Sequence, residues 1–394
     1  MTAEPAPRLP RTVVVLGWVS LLNDAASEMI TPLLPIFLTA TLGAGPAIVG
    51  LVEGVAEATA SVLKLLAGRL NDRGVGAKAL VVGGYGLANA ARPAIGLALG
   101  WPYVLVLRFL DRIGKGLRTA PREALIAGAV AAPHRGRAFG FHSAMDNFGA
   151  TLGPLLAFGL LAAHVPLGRV FLWSVVPGIA VMVLLAIGIR RDAPLERKER
   201  AAPLAFGALD GRLKSLIAAV GVLALAAVPE AFVVLWARQA GLPLAAVPLV
   251  WAAANFAKTA IAFPAGSWSD RVGRLPLLVG GWSARVLALA ALALVPASGW
   301  GVWGLFMAYS ATLAFTEPVE RSLVGDVAPP ALRGSLFGLY HLVAGVLVLP
   351  GAVLFGLVWE RAGSSAAFAA AAVVSAIGAA GFALAARRRP AAAG

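Results

Sequence analysis

Asp24 and Glu28 stand four residues apart in a stretch that is otherwise mostly apolar, with Asn23 and Ser27 beside them. On a helix that spacing puts both carboxylates on one face. Glu53, Glu57 and Lys64 follow in the next apolar stretch, and their steps of four and seven keep them on one stripe. His142 and Asp146 are again four apart, next to Asn147. Arg108, Asp111, Arg112, Lys115 and Arg118 crowd one stretch, and Asn89 and Arg92 lie in the stretch before it. The second half of the chain is sparser, with Glu230, Asn255, Lys258, Arg285, Glu317, Glu320 and His341. Ionisable groups among apolar residues are costly, and they either pair with one another or serve a pathway. A carboxylate in a water-poor cavity can take up and release a proton, or hold a cation directly. Asp24, Glu28, Glu57 and Asp146 therefore suit an exchange in which a proton and a cationic substrate compete for one acid. Glu53, Arg108, Asp111 and Arg112 suit either that cavity or static pairs that hold helices together. Oxygen ligands with one or two histidines can hold a divalent metal weakly. Trp18, Trp236 and Trp251 can line a cavity for an organic cation. Whether a metal binds, and which, stays open.

The elements that must position these groups follow from composition. Of 394 residues, 59% are apolar and 13% charged, against about 25% charged in a typical soluble domain. That excludes a soluble globular chain and a disordered one. A span needs about 20 apolar residues, so the length accommodates about twelve spans with short loops and one linker. They are expected near 12–41, 46–67, 79–99, 102–122, 138–162 and 169–189, then 214–238, 243–264, 275–297, 301–320, 335–358 and 364–386; they are numbered span 1 to span 12 below. Backbone groups in hydrocarbon must be satisfied internally, so the spans are helices. The expected architecture is an all-α polytopic membrane protein. Residues 1–190 form an N-terminal six-helix half, 191–213 a charged linker and 214–394 a C-terminal half. The opening MTAEPAPRLPRT has no small-residue cleavage pattern, so span 1 is expected to be retained.

The 33 Lys and Arg against 19 Asp and Glu give a net charge of +14. With the N-terminus inside, the basic residues collect in the termini and inner loops, and the outer loops hold Arg169, Arg238 and Arg361. Excess Lys and Arg marks the cytoplasmic face. Both termini are therefore expected to be cytoplasmic in an inner membrane, and no nucleic-acid partner is expected. The absence of cysteine removes thiolate chemistry. There is no phosphate-binding Gly-rich loop with Lys-Ser/Thr, no HExxH and no GxSxG, and the four histidines do not cluster in sequence. Neither ATP-driven transport nor an enzyme is expected, and no cofactor is implied.

The halves repeat each other. The run from Gly68 through Asp72 and Arg73 matches that from Gly266 through Asp270 and Arg271, an offset close to half the chain. Gly83-Gly84-Tyr85 matches Gly280-Gly281-Trp282, Pro121-x-Glu123 matches Pro318-x-Glu320, and Arg135-Gly136-x-x-Phe139-Gly140 matches Arg333-Gly334-x-x-Phe337-Gly338. Glu57 aligns with Asn255. Duplicated halves of even span number keep one orientation and place a site between them near mid-membrane.

Gly68-x-Leu70-x-Asp72-Arg73 and Gly266-x-x-x-Asp270-Arg271-Val272-Gly273-Arg274 resemble the loop motif of the major facilitator superfamily. The first copy departs from the family pattern at Gly74-Val75-Gly76-Ala77-Lys78, where it lacks the arginine. The resemblance runs over about 12–386. It implies two six-helix halves and alternating access, with Gly68, Asp72, Arg73, Gly266, Asp270 and Arg271 as gating residues. Gly149-x-x-x-Gly153-Pro154 resembles the family's antiporter motif, which implies efflux. Arg108 resembles the motif arginine linked to proton coupling, although Arg112 stands where a small residue is expected. The run RFLDRIGKGLRTAPREAL with NDAASEM resembles a bacterial branch that includes nickel and other metal-resistance exporters. The expectation is a monomeric, proton-coupled antiporter exporting a metal cation, a metal complex or a drug-like compound. Proton symport inward, or a non-transporting receptor or scaffold on the same fold, are the alternatives. The acids favour a cationic substrate, and the basic groups of span 4 keep organic anions and metal chelates open.

Overall fold

The computed structural model describes residues 9–72, 76–131, 135–188, 211–327 and 333–387. Helix covers most of each expected span, and no strand occurs among the described residues. Several helices outrun their expected spans: Pro46–Asp72, Trp101–Gly128, Val247–Val272 and Trp300–Val327 all project beyond them. The expected linker lies outside the described residues as far as 210, and Gly211–Leu225 is helical from its first residue. Spans 11 and 12 run from Arg333 to Arg387 and meet at Gly363, whose φ of +85° lies where a side chain is strained.

Six helical stretches among the described residues are apolar and long enough to cross a membrane by composition alone: Pro46–Lys64, Leu167–Gly188, Ile217–Gln239, Leu244–Ile261, Arg274–Leu294 and Gly338–Leu384. Spans 1, 3, 4, 5 and 10 are not among them; the first four carry Asn23, Asp24 and Glu28, then Arg92, the Arg108–Arg118 series, and His142 with Asp146. Those polar groups are tolerated where other helices cover them.

Spans 1 and 7, the first of each half, are both interrupted in mid-bundle. Arg11–Glu28 ends ahead of Thr31-Pro32, and helix resumes at Leu34–Ile36, followed by a π-helical turn over Phe37–Thr41. Gly211–Leu225 ends ahead of Pro229, and helix resumes at Glu230–Gln239. Proline has no N–H to donate and disfavours helix in the residue before it, which accounts for both breaks. Each break leaves an acid at a helix end: Glu28 before the first and Glu230 after the second.

Packing within each half repeats. A Cβ on Gly149 would overlap the Leu21 carbonyl and one on Gly153 the Ala25 carbonyl, so span 5 lies backbone-to-backbone on span 1. Gly351 holds span 11 against Leu225 of span 7 in the same way. The Gly149-x-x-x-Gly153-Pro154 motif is thus a close helix crossing. Between the halves, Gly50 and Gly54 of span 2 meet Ala352 and Leu349 of span 11, and Gly356 meets Ala47.

Three apolar cores result. At the end of the bundle away from the chain termini, one core draws on both halves: Ile30, Phe37, Val49 and Phe171 pack in the same cluster as Phe232, Trp236, Phe306 and Phe368. At the end carrying the termini the cores are separate. Val13, Leu16, Tyr85 and Leu185 form one from the first half, and Ile217, Trp282, Leu323 and Phe382 form one from the second. Among the described residues, the halves share one core at one end and hold separate cores at the other.

Candidate substrate and coupling site

The charged residues of the first half sort into two groups. The first is a buried network of ion pairs. Arg92 Nε of span 3 donates to Asp111 Oδ1 of span 4 at 2.8 Å, and both side chains are almost wholly buried. Arg108 and Arg112 approach the other Asp111 oxygen at 3.4 and 3.6 Å. Arg108 also reaches Glu53 of span 2 at 3.4 Å. Arg92 Nη1 donates to Asn23 Oδ1 of span 1 at 2.9 Å and to the Asn23 carbonyl at 3.2 Å. Asp111 is therefore a single buried anion among three guanidinium groups, in a knot that ties spans 1 to 4 together. Arg108, Asp111, Arg112 and Glu53 are brought together as ion pairs within one half.

The second group lies closer to the other half. Glu28 Oε2 accepts from Trp251 Nε1 of span 8 at 2.7 Å, a bond between halves. Asn255 Nδ2, one turn further along span 8, donates to the Ala150 carbonyl of span 5 at 3.2 Å. Asp24 accepts from Asn23 Nδ2 at 3.0 Å, and Asp146, Arg118, Arg122 and Lys115 are its charged neighbours. His142 Nδ1 lies 3.4 Å from Asp146 Oδ2. The buried His142 Nε2 and Asp146 Oδ1 have no protein partner. Glu57 is exposed and faces Lys115, Arg112 and Lys64 without a hydrogen bond or ion pair to any of them. Arg118 stacks over the Tyr85 ring at 4.3 Å, and Arg122 donates to Ser20 Oγ at 2.9 Å and Tyr85 Oη at 3.2 Å.

In the second half, Glu230 sits at the start of its half-helix and pairs with Lys258 Nζ of span 8 at 2.8 Å. It also accepts from Ser310 Oγ of span 10 at 2.7 Å. Lys258 Nζ lies 5.5 Å from the centre of the Trp251 ring. The spacing of Glu230, Lys258 and Ser310 gave no sign of this cluster; Pro229, which starts the half-helix, is the signal that points to it. No group of three or more metal-binding side chains comes together among the described residues.

Gly68 and Asp72 lie in the last turns of span 2, Gly266, Asp270 and Arg271 in those of span 8. Arg271 is exposed. Arg73 and the side chains of the other four lie outside the described residues.

Residues 16–256 match the Major Facilitator Superfamily. The chain belongs to that superfamily. An uncharacterized MFS-type transporter of Methanocaldococcus jannaschii is 28% identical over 363 residues, 89% of each chain. The multidrug resistance protein MdtH of an Enterobacter species is 26% identical over 325 residues, 80% of this chain and 78% of that one. Among solved structures, a bacterial homolog of the human lysosomal transporter Spinster, in an inward-facing and unoccupied conformation, superimposes with a TM-score of 0.77 at 17% identity, over 99% of this chain and 100% of that one. The fold is that of a superfamily transporter with twelve spans in two six-helix halves, and the protein is a membrane transporter rather than an enzyme.

Proposed function

We propose that the chain is a proton-coupled antiporter that exports a small solute by alternating access between halves 1–190 and 214–394, with both termini in the cytoplasm. The observation that carries this reading is the asymmetry of the cores. One apolar core spans both halves at the far end, and each half keeps its own at the end with the termini. With the termini inside, that is a transporter sealed outward and parted inward. Carboxylates not consumed by arginine pairs (Asp24, Glu28, Glu57 and Asp146) supply proton acceptors, and Glu28 among them meets Trp251 of the other half. The Gly149–Gly153 crossing and the likeness to MdtH favour export. Substrates span drug-like compounds and metal species; the metal-resistance reading rests on the sequence resemblance alone.

The test is flux in proteoliposomes holding an internal pH dye, with Ni²⁺, Co²⁺ and a panel of drugs and organic acids as substrates. Antiport gives proton movement opposite to substrate, and symport gives movement with it. Asp24→Asn and Glu28→Gln are expected to uncouple or abolish the signal. Substrate flux without proton movement, from folded protein, rejects proton coupling.

A further inference from the structure

The geometry points to a built-in ammonium site between the halves, occupied in this conformation by the protein's own Lys258 and taken by a substrate ammonium group during transport. Four electron-rich groups define it. The Glu230 carboxylate receives Lys258 Nζ on both oxygens, at 3.0 and 2.8 Å. Ser310 Oγ, buried, donates its proton to Glu230 at 2.7 Å and so keeps its lone pairs free to accept. The Trp251 ring lies under the ammonium at 5.5 Å. Glu28 of the opposite half anchors the same indole through its N–H at 2.7 Å. An indole face and a carboxylate are what a quaternary or protonated amine needs. An organic anion in the same place would meet two carboxylates.

The placement is that of a substrate site. Glu28 and Glu230 both stand at breaks in the first helix of their half, the positions at which interrupted helices line transporter sites. The side chains of Glu230 and Lys258 are only 17% and 24% exposed, so the pair is shielded without being sealed. Lysine is a point charge on a flexible four-carbon stem, so it can leave without disturbing a helix. When it leaves, Glu230 needs a replacement cation, and the bond from Trp251 to Glu28 makes occupancy felt by both halves. This inference rests on the transporter reading, and it deepens that reading by naming the substrate class as an organic ammonium.

Binding to the purified full chain in detergent, by calorimetry, tests the site without flux or proton coupling. The probes are benzyltrimethylammonium and phenylacetate, of similar shape and opposite charge. Wild type is expected to bind the cation and not the anion. Lys258→Met, which removes the internal competitor, is expected to tighten cation binding by about tenfold or more, the order of one partly screened charge interaction. Glu230→Gln is expected to abolish it, and Trp251→Leu to weaken it by about tenfold. Should Lys258→Met prove unstable, Lys258→Gln, which also removes the charge, serves in its place. Cation affinity unchanged by both Lys258 and Glu230 substitutions, or phenylacetate binding that depends on Lys258, overturns the site. Cation binding as expected from a protein that moves no substrate in liposomes would overturn the transport reading and leave the site standing.

Discussion

Asp111→Asn is the most informative single change in the first half. The wild-type carboxylate meets Arg92 at 2.8 Å, Arg108 at 3.4 Å and Arg112 at 3.6 Å, and is about 1% exposed. The amide keeps the shape and removes the charge. Arg92 then keeps only neutral acceptors, Asn23, Asn89 and the amide oxygen at 111, and Arg108 has Glu53 as its one remaining anion. Removing one partner of a buried ion pair costs about 3–5 kcal/mol, because the other charge remains buried. Full burial means that solvent does not screen this cost. We expect Asp111→Asn to be destabilised by about that amount in heat or SDS unfolding of the solubilised protein followed by tryptophan fluorescence. Arg92→Met added to Asp111→Asn should recover part of the loss, since neutral side chains then replace a charge with no counter-ion. The reasoning is refuted if Asp111→Asn unfolds like wild type yet transports nothing. Asp111 would then be a working group rather than the anchor of a static knot.

Gly149→Ala and Gly153→Ala should each cost about 1–3 kcal/mol in the same assay, because the added methyl meets span 1 backbone. Gly159→Ala, where nothing lies within 4 Å, should be neutral or stabilising by up to about 1 kcal/mol. The chain has no cysteine, so paired cysteines at Ala47 and Glu360, whose amide and carboxylate are 2.9 Å apart, are a clean cross-link between halves. Cross-linking them with a bifunctional thiol reagent should stop transport, and a reducible reagent should let dithiothreitol restore it; full transport while cross-linked would contradict rocking of the halves. Trp251→Phe removes the donor to Glu28, a charge-assisted bond worth about 1.5–3 kcal/mol. It should raise labelling of cysteines placed in the sealed end.

Much of this fold is legible in the sequence, because Gly, Pro and charge punctuate apolar runs of membrane length. The helix ends at Gly273 and Gly363 fall at such punctuation. The pairing of the charges is less legible. Asp24 and Glu28 share a face, yet the break after Glu28 sends its carboxylate to span 8 while Asp24 stays near span 5. Arg92 and Asp111 are 19 residues apart, and only the crossing of spans 3 and 4 brings them together. Glu53 and Glu57 lie on one stripe but end differently, one on Arg108 and the other exposed. The interruptions in spans 1 and 7 are not legible, since a single proline in an apolar run is compatible with a continuous kinked helix. Those interruptions are what put Glu28 and Glu230 into the middle of the bundle.

The shared core at the sealed end has a thermal consequence. To open that end, Ile30, Phe37 and Phe171 must come away from Phe232, Trp236 and Phe306, and water then wets surface that was dry. If closing the other end returns less apolar contact than this step releases, the two conformations differ in wetted apolar surface. Wetting apolar surface raises heat capacity. The balance between the two conformations should therefore curve with temperature rather than follow a straight van't Hoff line. At a temperature where the enthalpy difference vanishes, the sealed form is held by water entropy alone.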